Sequence, residues 1–166
     1  MINVHQRLVD AFDSLPLVQG FKPHYDWGDG HHLNQLIKLE NNDNSTPYPL
    51  IYNVSPYSTQ DSKKRIATYR VSLVIATQNK ATDLLNSQRW ATSYKNILFP
   101  LAGYIEQTFK KNQIFVWGGE FRLYEFPNYG QNGENETTDI WDALRFDTDI
   151  TINDFPCINN FTYKTI

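Results

Sequence analysis

A single cysteine, Cys157, stands in the whole chain, so no intrachain disulfide can form and the fold must be held by its core. That is the usual case for a protein made in a reducing compartment. No stretch approaches the roughly 20 apolar residues that span a bilayer, so no membrane partner is expected. The start of the chain, Met1-Ile2-Asn3-Val4-His5-Gln6-Arg7, has no basic opening followed by an apolar run and does not read as a signal peptide. Positive charge is also scarce. Fifteen Lys and Arg face eighteen Asp and Glu, for a net charge of −3. That excludes the broad basic field that drives nucleic-acid binding. The only basic run is Lys63, Lys64 and Arg65, close to Asp61. Three such charges read as a solvated turn before they read as a phosphate site.

The chemical motifs are missing as well. There is no HExxH, no GxGxxG and no P-loop. Cys157 has no nearby histidine or nucleophile signature. His24, Asp26, Asp29, His31 and His32 are proper ligand types for zinc or a similar ion, but their spacing matches no metal pattern, and a Gly-rich polar loop accounts for them. Asp139, Asp142, Asp147 and Asp149 crowd the last strand. Paired carboxylates can do acid–base work or hold a divalent cation. They need a pocket for that, and a solvated or partner-facing strand surface explains them more simply. No catalytic residue, cofactor or metal is assigned.

What is present is a chain of 166 residues, 40% apolar and 14% aromatic, enough for one domain with a real core. Aromatics supply large buried area and are enriched at protein contacts. Trp90 and Trp141 sit in periodic segments and are expected in the core. Trp27, Trp117 and Tyr129, if exposed together, would instead favour a carbohydrate- or peptide-binding module.

Periodicity sets the order of elements. Asn3 can cap a first helix, with Val4, Leu8, Ala11, Phe12 and Leu15 on one face and Pro16 near its end. Residues 20–32 read as loop. Residues 33–40 fit a strand or a helical turn, and residues 41–49 a loop. A short strand lies at 49–56, and a polar hairpin connection at 57–65. The strongest strand is 66–77, with Ala67, Tyr69, Val71, Leu73 and Ile75 on one face. Thr68, Arg70 and Ser72 lie on the other, until Val74 and Ala76 turn it apolar. A long helix is expected from Thr82 or Asp83 to Lys111, kinked or broken at Pro100. A strand over 114–126 is interrupted by Gly118 and Gly119, as a bulge or a tight turn. The last strand, 139–153, puts Leu144, Phe146, Ile150 and Ile152 on one face and Arg145, Asp147, Asp149 and Thr151 on the other. The fold class is α+β: a mostly antiparallel sheet packed on one face by a long helix and a short N-terminal helix. The sheet's other side then meets water or a partner.

This order resembles the tail terminator and tail completion proteins of long-tailed bacteriophages. The likeness rests on the first helix, the strand Pro49-Leu50-Ile51-Tyr52-Asn53-Val54, the polar hairpin, the strand over 67–75, the helix over 83–111 and the closing strand over 141–150. It departs from them in a long loop at 26–47, in Pro100 within the helix, and in a tail at 154–166 that has no counterpart. The resemblance implies a single domain over residues 1–166, in a virion protein made in the host cytoplasm. That protein forms a ring, usually of six copies, at the head-proximal end of the tail. The ring ends tube polymerisation and joins the tail to the neck. Its partners would be further copies of itself, the tail tube protein and a neck or connector protein, with DNA only as passing cargo. Another neck or head–tail joining component fits the same resemblance. A small metal-dependent enzyme or ligand-binding module is the alternative from a different class. Under the tail reading, Lys63, Lys64 and Arg65 reach a partner, and Arg145, Asp147 and Asp149 face a partner or a lumen, where like charge on the two aspartates would keep DNA from the wall.

Overall fold

A computed structural model describes residues 4–42, 48–54, 58–61, 66–78, 85–129 and 141–153. Its frame is a six-stranded sheet. The strands are β1 (His24–Trp27), β2 (Leu50–Asn53), β3 (Ser58–Asp61), β4 (Ile66–Gln78), β5 (Phe115–Tyr129) and β6 (Trp141–Asn153). The order across the sheet is β1-β2-β4-β6-β5, and β3 also pairs with β4. Only β1 and β2 run parallel. All other pairs are antiparallel. With α1 (Val4–Phe12) and the long helix on one face, this is the expected α+β layer.

That face carries the larger core. Tyr69, Val71, Leu73 and Ile75 of β4 alternate into it, and Leu144, Phe146, Ile150 and Ile152 of β6 do the same. Against them pack Val4, Leu8, Ala11 and Phe12 of α1 and, from the long helix, Tyr94, Leu98, Leu101, Ile105 and Phe109. Phe109 meets Phe12, Phe115 and Phe146 ring to ring at 5.4–6.3 Å, which ties both helices to β5 and β6. Among the described residues, no helix is long and apolar enough to cross a membrane.

The sheet's second face is divided. A smaller core closes one end of it: Tyr52 of β2, Val74 and Ala76 of β4, and Trp141 and Ala143 of β6 pack under Leu33 of α2 (Gly30–Asn42). The switch at Val74 and Ala76 is the one visible in the sequence. The helix above it is one of two options there for residues 33–40, and its start at Gly30 is not visible. Residues 20–32, read as loop, hold β1 and the first turn of α2. Asp29 starts that helix by accepting from the His32 N–H at 2.8 Å. Gly28 lets the chain turn into it: its φ is +145°, and a Cβ there would sit 2.8 Å from the Tyr52 hydroxyl oxygen. Residues 58–61, read as part of a connection, form β3 against β4.

The long helix is disturbed next to Pro100 but not broken there. It is continuous from α3 (Asn86–Arg89) through a π-helical stretch (Trp90–Leu98) into α4 (Phe99–Lys111). Pro100 does not break it, although its missing N–H leaves a carbonyl of the preceding turn without a backbone donor. The wider winding ahead of it takes up the mismatch: the Phe99 N–H reaches Tyr94 O, five residues back. Asn96 O, which a proline four residues on cannot serve, accepts from Gln19 Nε2 at 3.4 Å. Trp90, expected in the core, is half-exposed and stacks on Tyr94 and Phe99 instead. Trp141 is fully buried, as expected.

One buried ion pair anchors this helix. Arg89 Nη1 lies 2.9 Å from Asp142 Oδ1, with both side chains at most 3% exposed. Arg89→Met leaves a buried carboxylate without its guanidinium and is expected to cost about 3–5 kcal/mol in urea unfolding. Adding Asp142→Leu should recover most of that loss. Failure of the double variant to regain stability would assign the cost to packing instead.

A second set of buried polar groups predicts an alkaline limit. Tyr69 Oη accepts from Asn53 Nδ2 at 3.3 Å and lies 3.3 Å from His5 Nε2. Burial pushes its pKa from 10.0 to about 12. Burial raises Tyr25, Tyr52 and Tyr94 further, the last also through the charge of Asp142. Above pH 10 the unfolded chain releases phenol protons that the folded chain keeps, so stability falls as pH rises past 10. In an absorbance titration from about pH 9 to about pH 12, the tyrosinate signal should split into an early phase and a later one that coincides with unfolding. A single phase in a chain that stays folded would contradict this.

Candidate functional site

Beyond the smaller core, no described element covers the second face of β4, β6 and β5, and this is where the predicted strand residues meet. Register brings them together. Asp147 pairs with Ser72 on one side and Arg122 on the other. Arg145 stands between Val74 and Tyr124, and Asp149 opposite Arg70. Side chains at 145, 147 and 149 share one face because strand residues alternate. Arg145, Arg70, Arg122, Tyr124 and Asp149 are exposed, and Asp147 is half-buried.

The centre of the set is a bonded triad. Ser72 Oγ donates to Asp147 Oδ1 at 2.5 Å, and Arg145 Nε reaches the same carboxylate oxygen at 2.9 Å and Ser72 Oγ at 3.1 Å. Around it opens a groove of about 590 Å³ lined by Arg70, Glu120, Arg122, Tyr124 and Asp149. Opposite charges are interspersed, with the guanidiniums of Arg70, Arg122 and Arg145 beside the carboxylates of Glu120, Asp147 and Asp149. This surface is therefore not the acidic wall expected from Asp147 and Asp149 alone. It is broad and open and holds both signs of charge, which suits contact with another polar surface rather than enclosure of a small ligand.

A glycine bulge shapes the groove's rim. Between Trp117↔Ile150 and Phe121↔Thr148 the pairing of β5 with β6 skips, and Gly119 there has φ +81°. Gly118 and Gly119 are thus a bulge within one strand, not the turn of a hairpin. Thr148 holds it: its hydroxyl accepts from Trp117 Nε1 and donates to Glu120 O, both at 2.6 Å.

The other candidates do not assemble. Lys63, Lys64 and Arg65 lie outside the described residues, as do Asp139, Cys157, residues 154–166 and the proposed Asn3 cap. Asp142 is buried on Arg89. Asp29 serves the start of α2, and the His32 N–H, then the nearby imidazoles, hold its carboxyl below the usual range. Asp26 faces His32 at 3.4 Å, while His31 bonds Gln35 at 2.9 Å. Among the described residues, no three such groups stand close enough to hold a metal ion. Trp27, on edge strand β1, stacks on His5, whereas Trp117 lies on β5 at the opposite edge. Those two rings therefore form no common platform.

Arg122 and Tyr124 were not singled out from the sequence. They alternate with Phe121 and Leu123, which was a usable signal, but nothing in one strand tells which residue of β6 it will face.

Thr148→Val removes both bulge contacts while keeping shape. It should cost about 1–3 kcal/mol and speed hydrogen exchange at residues 118–121. Thr148→Ser should retain most of the stability. Equal loss in both variants would place the effect in the methyl group instead of the hydroxyl.

Compared with models of known protein families and with characterised proteins, the chain matches none.

Proposed function

We propose that the chain is a structural virion protein that closes into a ring, usually of six copies, on the head-proximal end of a phage tail, ending tube growth and joining the tail to the neck. The observation that carries this reading is the uncovered half-face of β4, β6 and β5, with Arg70, Arg122 and Arg145 set among Asp147 and Asp149. A ring contact is heterologous, so each copy needs two unlike surfaces. A sheet with one helix-covered face and one open charged half-face supplies them on a small domain. The element order that resembles tail terminators gives the reading its setting.

The charge balance sharpens the role of the face. A lumen wall that keeps DNA away needs excess negative charge. The guanidiniums of Arg70, Arg122 and Arg145 balance the carboxylates of Glu120, Asp147 and Asp149, so this face is read as meeting a neighbouring copy or the tail tube. DNA remains passing cargo, and the remaining partner is a neck or connector protein.

Mixing the purified chain with purified tail tubes and imaging by electron microscopy should show one ring at one end of each tube. The charge reversals Arg122→Glu and Arg70→Glu should abolish that binding while leaving the circular dichroism unchanged. No density on the tubes, together with a strict monomer at high concentration, would overturn the reading.

A further inference from the structure

The sheet has two edges, and they are unlike. At one end β1 spans only His24–Trp27, and its Trp27 N–H is already taken by the Asp26 carboxylate at 2.7 Å. At the other end stands β5, Phe115–Tyr129, and among the described residues no strand pairs its outer side. A long open edge offers unpaired N–H and C=O groups to another chain. β5 also carries three of the large apolar side chains that remain exposed: Val116 at 55%, Phe121 at 37% and Tyr124 at 42%. They occupy both faces. Phe121 stacks on Phe146 of the helix-covered side at 4.6 Å, and Tyr124 stands opposite Arg145 on the bare side. A strand added to this edge would cover both.

We infer that the outer edge of β5 pairs antiparallel with β5 of a second copy about a two-fold axis at Leu123. The edge itself fixes that register. Open-ended stacking is blocked by the bulge at Gly118 and Gly119 and by Pro127, which has no N–H to give. Between them lies a regular window centred on Leu123. When the two sheets keep their helices on the same side, opposed residues share a face, so one residue meets itself on the axis. An axis at Phe121 draws the glycine bulge into the ladder. One at Arg122 opposes two arginines, one at Glu125 opposes two glutamates, and one at Tyr124 brings Pro127 opposite Phe121. The axis at Leu123 avoids all four. It sets the Arg122 guanidinium across from the partner's Tyr124 ring, twice by symmetry, and opposes no like charges in the window.

This inference goes beyond the ring. A two-fold edge pair belongs to the free chain, whereas a ring on a tube uses unlike patches, so either can fail alone.

The full chain without tubes is examined by native mass spectrometry and light scattering. A dimer is expected. Tyr124→Arg, which opposes two cations, should weaken it about tenfold. Adding Arg122→Glu should restore it, because the carboxylate introduced at position 122 then meets the guanidinium introduced at position 124 of the second copy. In a Cys157→Ser background, cysteines placed singly at 121 to 125 report the register. Directly opposed residues lie about 4.5–5.5 Å apart at Cα, within disulfide reach, so Leu123→Cys should cross-link fastest. The cross-link reads the register even if a charge variant folds poorly. A monomer at all concentrations, a dimer unmoved by Tyr124→Arg, or a fastest cross-link at another position would each overturn the inference.

Discussion

Strands β4 and β6 pair over their full length, from Ile66↔Asn153 to Gln78↔Trp141, and the rest of the molecule inherits that register. Each strand alternates, so a slip by one residue would turn Arg145, Asp147 and Asp149 into the core and Leu144, Phe146 and Ile150 out to water. The cost of burying three charges without partners far exceeds any gain from an alternative ladder. With the two strands locked, β2 and β3 are placed end to end along one side of β4, and β5 along the far side of β6. The helices follow, since only one face is apolar along its whole length.

The long helix shows what happens when two such constraints compete. Its first turn is fixed to β6 through Arg89 and Asp142, and its later turns are fixed by Leu101, Ile105 and Phe109 in the core. Pro100 lies between those anchors and cannot donate a hydrogen bond. The chain keeps both anchors by changing the winding between them, and the π-helical stretch is where that change is stored. Gln19, at the tip of a tight turn with φ +51°, reaches across to Asn96 O. A local departure from ideal helix is thus stabilised by a contact far away in sequence.

Much of this could be read in the sequence, and the limits have physical causes. The alternation in 67–75 and 144–152 was legible because each position faces one environment only. The apolar turn at Val74 and Ala76 was legible too, but α2 above it was legible only as one of two options for residues 33–40. Its first residues, Gly30, His31 and His32, carry no apolar period, and the stop at Gly28 reads as loop. β1 has only four residues, and its parallel partner lies across α2, so no local pattern announces it. Pro100 was legible as a disturbance but not in its outcome, which depends on anchors at Arg89 and Phe109. For the candidate face, Arg145, Asp147 and Asp149 were visible on one strand. Arg70 and Arg122 joined them only through register, and those two residues remove the acidic excess that one strand alone suggests.

The division of the second face follows from the same register. Along β4 the side chains on that face change from Ser72 to Val74, and along β6 from Arg145 to Ala143. Because Val74 pairs with Arg145 and Ala76 with Ala143, the two changes fall at nearly the same level across the sheet. α2, Tyr48 and Trp141 close the apolar end, where the Trp141 Nε1–H donates to the Tyr48 hydroxyl. The polar end cannot be closed by an apolar helix, since Arg145 and Asp147 would be desolvated. It must stay wet or meet a surface that offers charges in return. That requirement, set by which residues can be buried at all, is why the open half of the sheet and not the helical layer is the surface left to water or to a partner.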